Sequence, residues 1–194
     1  MVKKIAITGG IGSGKSIICK IIQAMGYEVF NADAIAKKII NNNQNVKASI
    51  KSYFGDNSYT ESGMLNSSYI SSIVFNDSQK LQCLNQIVHP EVRKMFIDFA
   101  KKSTKTIFYE AAILFESKGE SDFDAVILVK APVDLRIKRI IKRDGLEEKE
   151  ILKRIHSQWD DKKKETLTPY CIVNDEVSPL LFQIEEILSQ LSIC

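Results

Sequence analysis

The chain begins with a short apolar run, Ile5-Ala6-Ile7, set between Lys3 and Thr8. It is too short for a helix and rich in β-branched residues, so residues 3–8 predict a buried strand. Beyond a glycine-rich stretch, Ile17, Ile18, Ile21, Ile22 and Met25 recur at helical spacing. They predict a helix over about 14–25, with Gly26 at its stop. Residues 27–30 predict a second strand, and a second helix follows from Ala34 to about Ile40. Strand, helix, strand at this interval implies a right-handed parallel unit.

The polar tract Asn41-Asn42-Asn43-Gln44-Asn45 predicts a boundary, since it neither builds a core nor favours a helix. From there to about 103 no strand pattern stands out, and residues 46–54, 67–75 and 79–102 predict helices. In the last, Leu81, Leu84, Val88, Val92, Met95, Phe96 and Phe99 form one stripe, and Pro90 is expected to break or restart it with His89 extended in front. Strands return at 106–110 and 125–129, with an apolar segment over 111–116. Pro132 opens a helix with Val133, Ile137, Ile140 and Ile141 on one side and Arg136, Arg139 and Arg143 on another; Gly145 ends it. A charged helical stretch over about 147–164, a strand at 170–173 and an amphipathic helix at 179–191 complete the chain, which shows no internal repeat.

Composition adds little to this pattern. With 194 residues, 44% apolar and 26% charged, the chain predicts one self-supporting globular domain. The net charge is +3, and residues 130–166 hold 12 Lys or Arg against 8 Asp or Glu. That surplus suits an anionic small ligand and falls short of a nucleic-acid footprint. Cys19, Cys83, Cys171 and Cys194 lack paired or metal-like spacing, and neither a signal peptide nor an apolar span of about 20 residues is present. The expectation is a cytoplasmic protein with free thiols and no membrane partner, a monomer by preference.

The chemistry concentrates in Gly9-Gly10-Ile11-Gly12-Ser13-Gly14-Lys15-Ser16, which fits G-x-x-x-x-G-K-[ST] between a predicted strand and a predicted helix. Glycines let several backbone N–H groups turn toward phosphate oxygens, while the helix points its positive end at the same anion. Lys15 adds a mobile charge for the β- and γ-phosphates, and Ser16 offers a hydroxyl to Mg²⁺. Element order then predicts an α/β fold: a P-loop nucleotide-kinase-like three-layer parallel sheet flanked by helices. Its core would be 1–40, 104–135 and 168–194, with a helical acceptor-binding insertion at 41–103 and a basic lid at 136–167.

Other candidates carry two readings each. Asp33, just past the second strand, suits an acceptor-side base or a water-mediated Mg²⁺ ligand, and equally a helix cap. His89-Pro90-x-x-Arg93 offers a structural ring or a substrate contact, and a guanidinium able to clamp an acceptor phosphate. Arg139 and Arg143, four apart, are expected to point the same way and to stabilise a transferring phosphoryl group, with Glu147, Glu148 and Glu150 as alternative structural partners. Glu110 suits water on Mg²⁺ or a strand-end charge, as does Glu116. Arg154 and Gln158 suit the nucleotide or solvent, and Lys162-Lys163-Lys164 predict a solvated run. Nothing provides a hydrolytic triad, a zinc site or an N-K-x-D motif.

Taken together, Thr8 through Ser16, Asp33 within Asn31-Ala32-Asp33-Ala34-Ile35-Ala36, His89-Pro90 with Arg93, Leu114-Phe115-Glu116, Arg139 with Arg143-Asp144-Gly145, Gln158 and Asn174 resemble the dephospho-CoA kinase family over nearly the full length. The resemblance implies ATP-dependent phosphorylation of the ribose 3′-hydroxyl of dephospho-CoA, with Mg²⁺. It implies ATP contacts at Gly10, Ile11, Gly12, Ser13, Gly14, Lys15, Ser16 and Ile17, and Asp33 as base. Substrate contacts would come from Asp33, His89, Arg93, Leu114, Phe115 and Glu116. Two places depart from the family pattern: Ala112-Ile113 stands where Pro-Leu is usual, and Thr168-Pro169 precedes the last strand in place of Ala-Asp. A kinase for another nucleoside or small metabolite and a non-catalytic ATP-binding switch are the competing readings.

Overall fold

The computed structural model describes residues 2–74 and 77–193. The chain falls into two compact units, Met1–Asn31 with Ser103–Cys194, and Ala32–Lys102. In the first, β1 (Lys4–Thr8), β2 (Glu28–Asn31), β3 (Ile107–Glu110), β4 (Ala125–Lys130) and β5 (Tyr170–Val173) form a parallel sheet in the order β2-β3-β1-β4-β5. β1 is central because Ile5, Ala6 and Ile7 have no solvent exposure, and only a strand with two hydrogen-bonded neighbours and two covered faces buries all three.

Alternation decides which face each residue covers. Ile5 and Ile7 pack with Ile18 and Ile22 of α1 (Lys15–Ala24), and with Ile184 and Leu188 of a C-terminal helix, Leu180–Gln190. Ala6 faces the other way and packs with Leu114, Phe115 and Val126, against partly buried Tyr109, Phe123 and Trp159. The layers are therefore helix, sheet and helix or loop. All five strands fall where hydrophobic runs predict them.

The helical unit contains α2 (Ala32–Asn42), α3 (Gln44–Phe54), α4 (Ser67–Val74) and α5 (Ser78–Lys102). Its core is Ile39, Val46, Ile50, Phe54, Ile70, Val74, Val88, Val92 and Phe96. Two expectations fail here. The asparagine tract does not mark the boundary: Asn41 and Asn42 extend α2, donating back to the carbonyls of Lys37 and Lys38. Only Asn43 interrupts, as the N-cap of α3, its side chain accepting from Asn45 and Val46 N–H. The helical unit consequently starts at Ala32 rather than at 41. Nor does Pro90 break α5, which continues through it with His89 helical. Proline withdraws one N–H from the ladder, and the buried stripe Val88, Val92 and Phe96 outweighs that loss. Phe75, predicted to end the preceding helix, lies outside the described residues, as does Cys194.

After β4, α6 (Val133–Asp144), α7 (Glu148–His156) and α8 (Asp161–Glu165) precede β5, and α9 is Leu180–Gln190. The predicted charged helix over 147–164 is thus two helices joined by a turn. Thr168 accounts for one departure from the family pattern: its buried hydroxyl donates to the carbonyl of Val126 and accepts from Tyr170 N–H, tying β5 to β4. Among the described residues no helix is long and apolar enough to cross a membrane.

Candidate active site

The loop between β1 and α1 lies at the carboxyl end of the central strand. Gly14, at φ +93°, is the N-cap of α1, and no side chain caps that helix. The positive end of the helix is thus left without a side-chain cap, as an anion requires. Lys15 is buried, and its Nζ donates to the carbonyls of Gly9 at 2.8 Å and Gly10 at 3.4 Å. These are neutral acceptors, so anionic phosphate oxygens would compete with them well.

Not every loop amide turns inward. Ser13 N–H donates to the Gly10 carbonyl at 3.1 Å, and Ile11 N–H donates to Oε1 of Gln158 at 2.7 Å. Ile11 is gripped at both ends, because its carbonyl accepts from Nε of Arg136 at 2.8 Å. The amides of Ile11 and Ser13 are thus engaged within the protein. Buried hydroxyls of Thr8 and Ser13 have no partner.

Three arginines of α6 have three fates. Arg136, predicted on the polar side, is buried between the loop and Asp161, whose Oδ2 lies 3.3 Å from its Nη1. Its neighbours Ile137 and Ile140 are buried too, so the inward stripe of α6 includes this charged residue. Burial pushes its guanidinium below the usual value, with Asp161 and Asp160 opposing that, and burial also pushes the Asp161 carboxyl up. A β-carbon on Gly10 would fall 2.2 Å from Nη2 of Arg136, so this close approach requires glycine.

Arg139 reaches the other side of the loop. It donates to the Gly12 carbonyl at 3.4 Å, to the Asn174 carbonyl and Oδ1 at 3.1 Å each, and to Glu176 at 3.1 Å. Arg143 does not point with it: that side chain is exposed and held by its neighbour Asp144 at 2.8 Å. Asp144, Asp161 and Glu176 are the acidic partners, in place of the expected Glu147, Glu148 and Glu150.

Glu110 ends β3 in register with Ile7 and is buried. Nδ2 of Asn31 donates to its Oε2 at 2.5 Å. Burial, then the charge of Glu110 and a hydrogen bond to it, push the Cys19 thiol up, so Cys19 stays protonated. Glu116 is engaged elsewhere: its Oε1 accepts from Trp159 N–H at 3.0 Å and lies 2.8 Å from Nζ of Lys164. Lys164, expected in solvent, has no exposure. Leu114 and Phe115 are core residues at 3% and 1% exposure.

In the helical unit, Asp33 sits in the first turn of α2, inside the helix rather than capping it. His89 and Arg93 lie one turn apart on α5. Solvent reaches the His89 ring, yet packing around it lowers its pKa, with the Asp33 charge pulling the other way. Ile17 is exposed on α1. Sequence reasoning missed Arg136 and Lys164; the signal for Arg136 was its i, i+4 spacing from Ile140.

The chain matches the dephospho-CoA kinase family model over residues 3–179. A dephospho-CoA kinase of Chlorobaculum tepidum is 36% identical, covering 96% of this chain and 94% of the relative. Among solved structures, a Thermus thermophilus protein superposes with a TM-score of 0.84 at 29% identity, over 98% of this chain and 96% of that one. A dephospho-CoA kinase from Campylobacter jejuni gives a TM-score of 0.66 at 26% identity, over 99% and 96%.

Proposed function

The chain belongs to the dephospho-CoA kinase family, and from that footing we propose that it transfers the γ-phosphoryl group of ATP to the ribose 3′-hydroxyl of dephospho-CoA, giving coenzyme A and ADP. The observation that carries the ATP half of this reading is the uncapped N-terminus of α1 behind Gly14, with Lys15 beside it on neutral carbonyls. That arrangement offers a polyphosphate a positive helix end and an amine beside it. The acceptor half rests on the family membership.

Phosphoryl transfer needs positioning and charge stabilisation more than covalent chemistry. On this reading the amides after Ser13 hold the β-phosphate, and Lys15 moves from the Gly9 carbonyl to the β- and γ-phosphates. Asp33 takes the proton of the attacking 3′-hydroxyl. Arg139, already on the loop, neutralises charge gathering on the transferred group, and Arg143 joins it from the outer end of α6. His89 and Arg93 belong to the acceptor side, with the helical unit 32–102 binding the substrate and the lid lying within residues 136–167.

The residues suit Mg²⁺. Ser16 presents an exposed hydroxyl on the first turn of α1, and Glu110 hydrogen-bonds Cys19, one turn further along that helix. Hydroxyl and carboxylate are hard oxygen donors of the kind Mg²⁺ takes together with nucleotide phosphates. There Mg²⁺ would supply positive charge against the nucleotide phosphates. The site of action is the cytoplasm on this reading.

Substituting Lys15→Ala tests the donor side, with turnover expected to fall by orders of magnitude in folded protein. Asp33→Asn tests the acceptor side, with turnover collapsing while ATP still binds. Near-normal turnover in the first overturns the phosphate-loop assignment; a change confined to the Michaelis constant in the second overturns the base role.

A further inference from the structure

Among the described residues, the segment 157–165 bears two buried ion pairs that the transfer reaction does not use. Asp161 and Lys164 are three apart and share a face of α8. Asp161 pairs with Arg136, which holds the Ile11 carbonyl, and Lys164 pairs with Glu116 in the turn after β3. The same Glu116 oxygen accepts Trp159 N–H, and the residue before Trp159 is Gln158, which holds Ile11 N–H. Trp159 packs against the cluster of Ala6, Leu114, Phe115 and Val126, and Nζ of Lys163 lies 3.4 Å from its ring centre. The connector is fastened to the turn at 112–118 through Glu116, and to the N–H and, by way of Arg136, the C=O of one loop residue, Ile11.

Buried ion pairs are poor devices for stability, because desolvation offsets the attraction, and good ones for fixing a single register. Lys164 fits the second role: it has no exposure, among the described residues its amine has only Glu116 as a charged partner within ion-pair distance, and sliding α8 by one residue would strand that charge. We propose that Lys164 is a positioning residue for nucleotide binding, locking α8 and the 157–161 turn so that Gln158 and Arg136 hold the N–H and the C=O of Ile11 and keep the phosphate loop preformed. It touches neither ATP nor acceptor. Resting on the kinase reading, the inference adds that loop geometry is maintained from the far end of the connector.

The test uses the full chain, with ATP affinity measured by calorimetry and Michaelis constants for both substrates. Lys164→Met is expected to weaken ATP binding about tenfold or more while moving the dephospho-CoA Michaelis constant less than about twofold. Gln158→Ala should weaken ATP similarly, and the double variant should lose little more than either single one, because both remove the same hold on Ile11. Lys164→Arg, keeping the charge, should restore most of the affinity. Glu116→Gln, which keeps an acceptor for Trp159 N–H but removes the charge, should weaken ATP binding in the same direction, and it decides the matter if Lys164→Met does not fold. Unchanged ATP affinity in the folded variants, or equal rises in both Michaelis constants, overturns the proposal. Wild-type protein that binds ATP but releases no ADP with dephospho-CoA contradicts the kinase reading instead, and the affinity comparison still decides this one.

Discussion

Asn174 donates from Nδ2 to the carbonyl of Ser13 at 2.9 Å, joining the end of β5 to the phosphate loop. Its Oδ1 accepts from Arg139, so one buried amide holds both the loop and the arginine beside it. Asn174→Ala leaves the Ser13 carbonyl and Arg139 each short of a partner, at about 1–3 kcal/mol for a buried group left unpaired. The expected outcome is a lower melting temperature and ATP affinity weakened by about tenfold or more, read by thermal unfolding and calorimetry. Unaltered ATP affinity would mean that Asn174 only fastens β5.

Gly14→Ala should be more severe. Alanine at φ +93° occupies the left-handed region at a cost of about 1–2 kcal/mol. Its β-carbon would also lie 2.0 Å from Nδ2 of Asn174, which the Ser13 carbonyl holds in place. Steady-state kinetics should show ATP-dependent turnover lost, with circular dichroism still native.

The two arginines of α6 should separate kinetically. Arg139 is tied to Gly12 and Asn174 before nucleotide arrives, so Arg139→Ala should weaken ATP binding and slow turnover together. Arg143 is held by Asp144 in the outer turn, so Arg143→Ala should lower kcat with ATP affinity kept. Identical profiles for the two would contradict separate roles.

His89 supplies a pH dependence of stability. Packing lowers its folded pKa below the ordinary 6.5, so between the folded value and 6.5 the unfolded chain binds a proton that the folded chain does not. Stability is then fully present above 6.5 and is lost as pH falls through the folded value. Denaturant midpoints between about pH 5 and 7.5 should decline on acidification, and less steeply in His89→Gln. Equal slopes would show that other groups carry the effect.

The sheet was legible because each strand is a short run containing β-branched or aromatic residues, set off by helical patterns, and the phosphate loop because its glycines and Lys15 sit between a strand pattern and a helical one. What escaped was set by tertiary packing. Pro90 stays inside α5 because Val88, Val92 and Phe96 share one buried stripe around it. Arg136 and Lys164 look like solvated basic residues in a charged region, and only the fold brings them to Asp161, Ile11 and Glu116. Arg139 and Arg143 share a helical face by spacing, yet their partners lie in different places, one on the loop and one in the adjacent residue.

Product identification decides whether the protein transfers phosphate from ATP to dephospho-CoA. Purified protein is given Mg-ATP with dephospho-CoA, or with AMP, adenosine or shikimate, and ADP release is followed alongside ³¹P NMR of the acceptor. A dephospho-CoA kinase releases ADP on addition of dephospho-CoA alone, with one new phosphate on the ribose 3′-oxygen for each ADP formed. ADP release with no phosphorylated acceptor, or phosphate transferred to a different acceptor or position, would contradict that assignment.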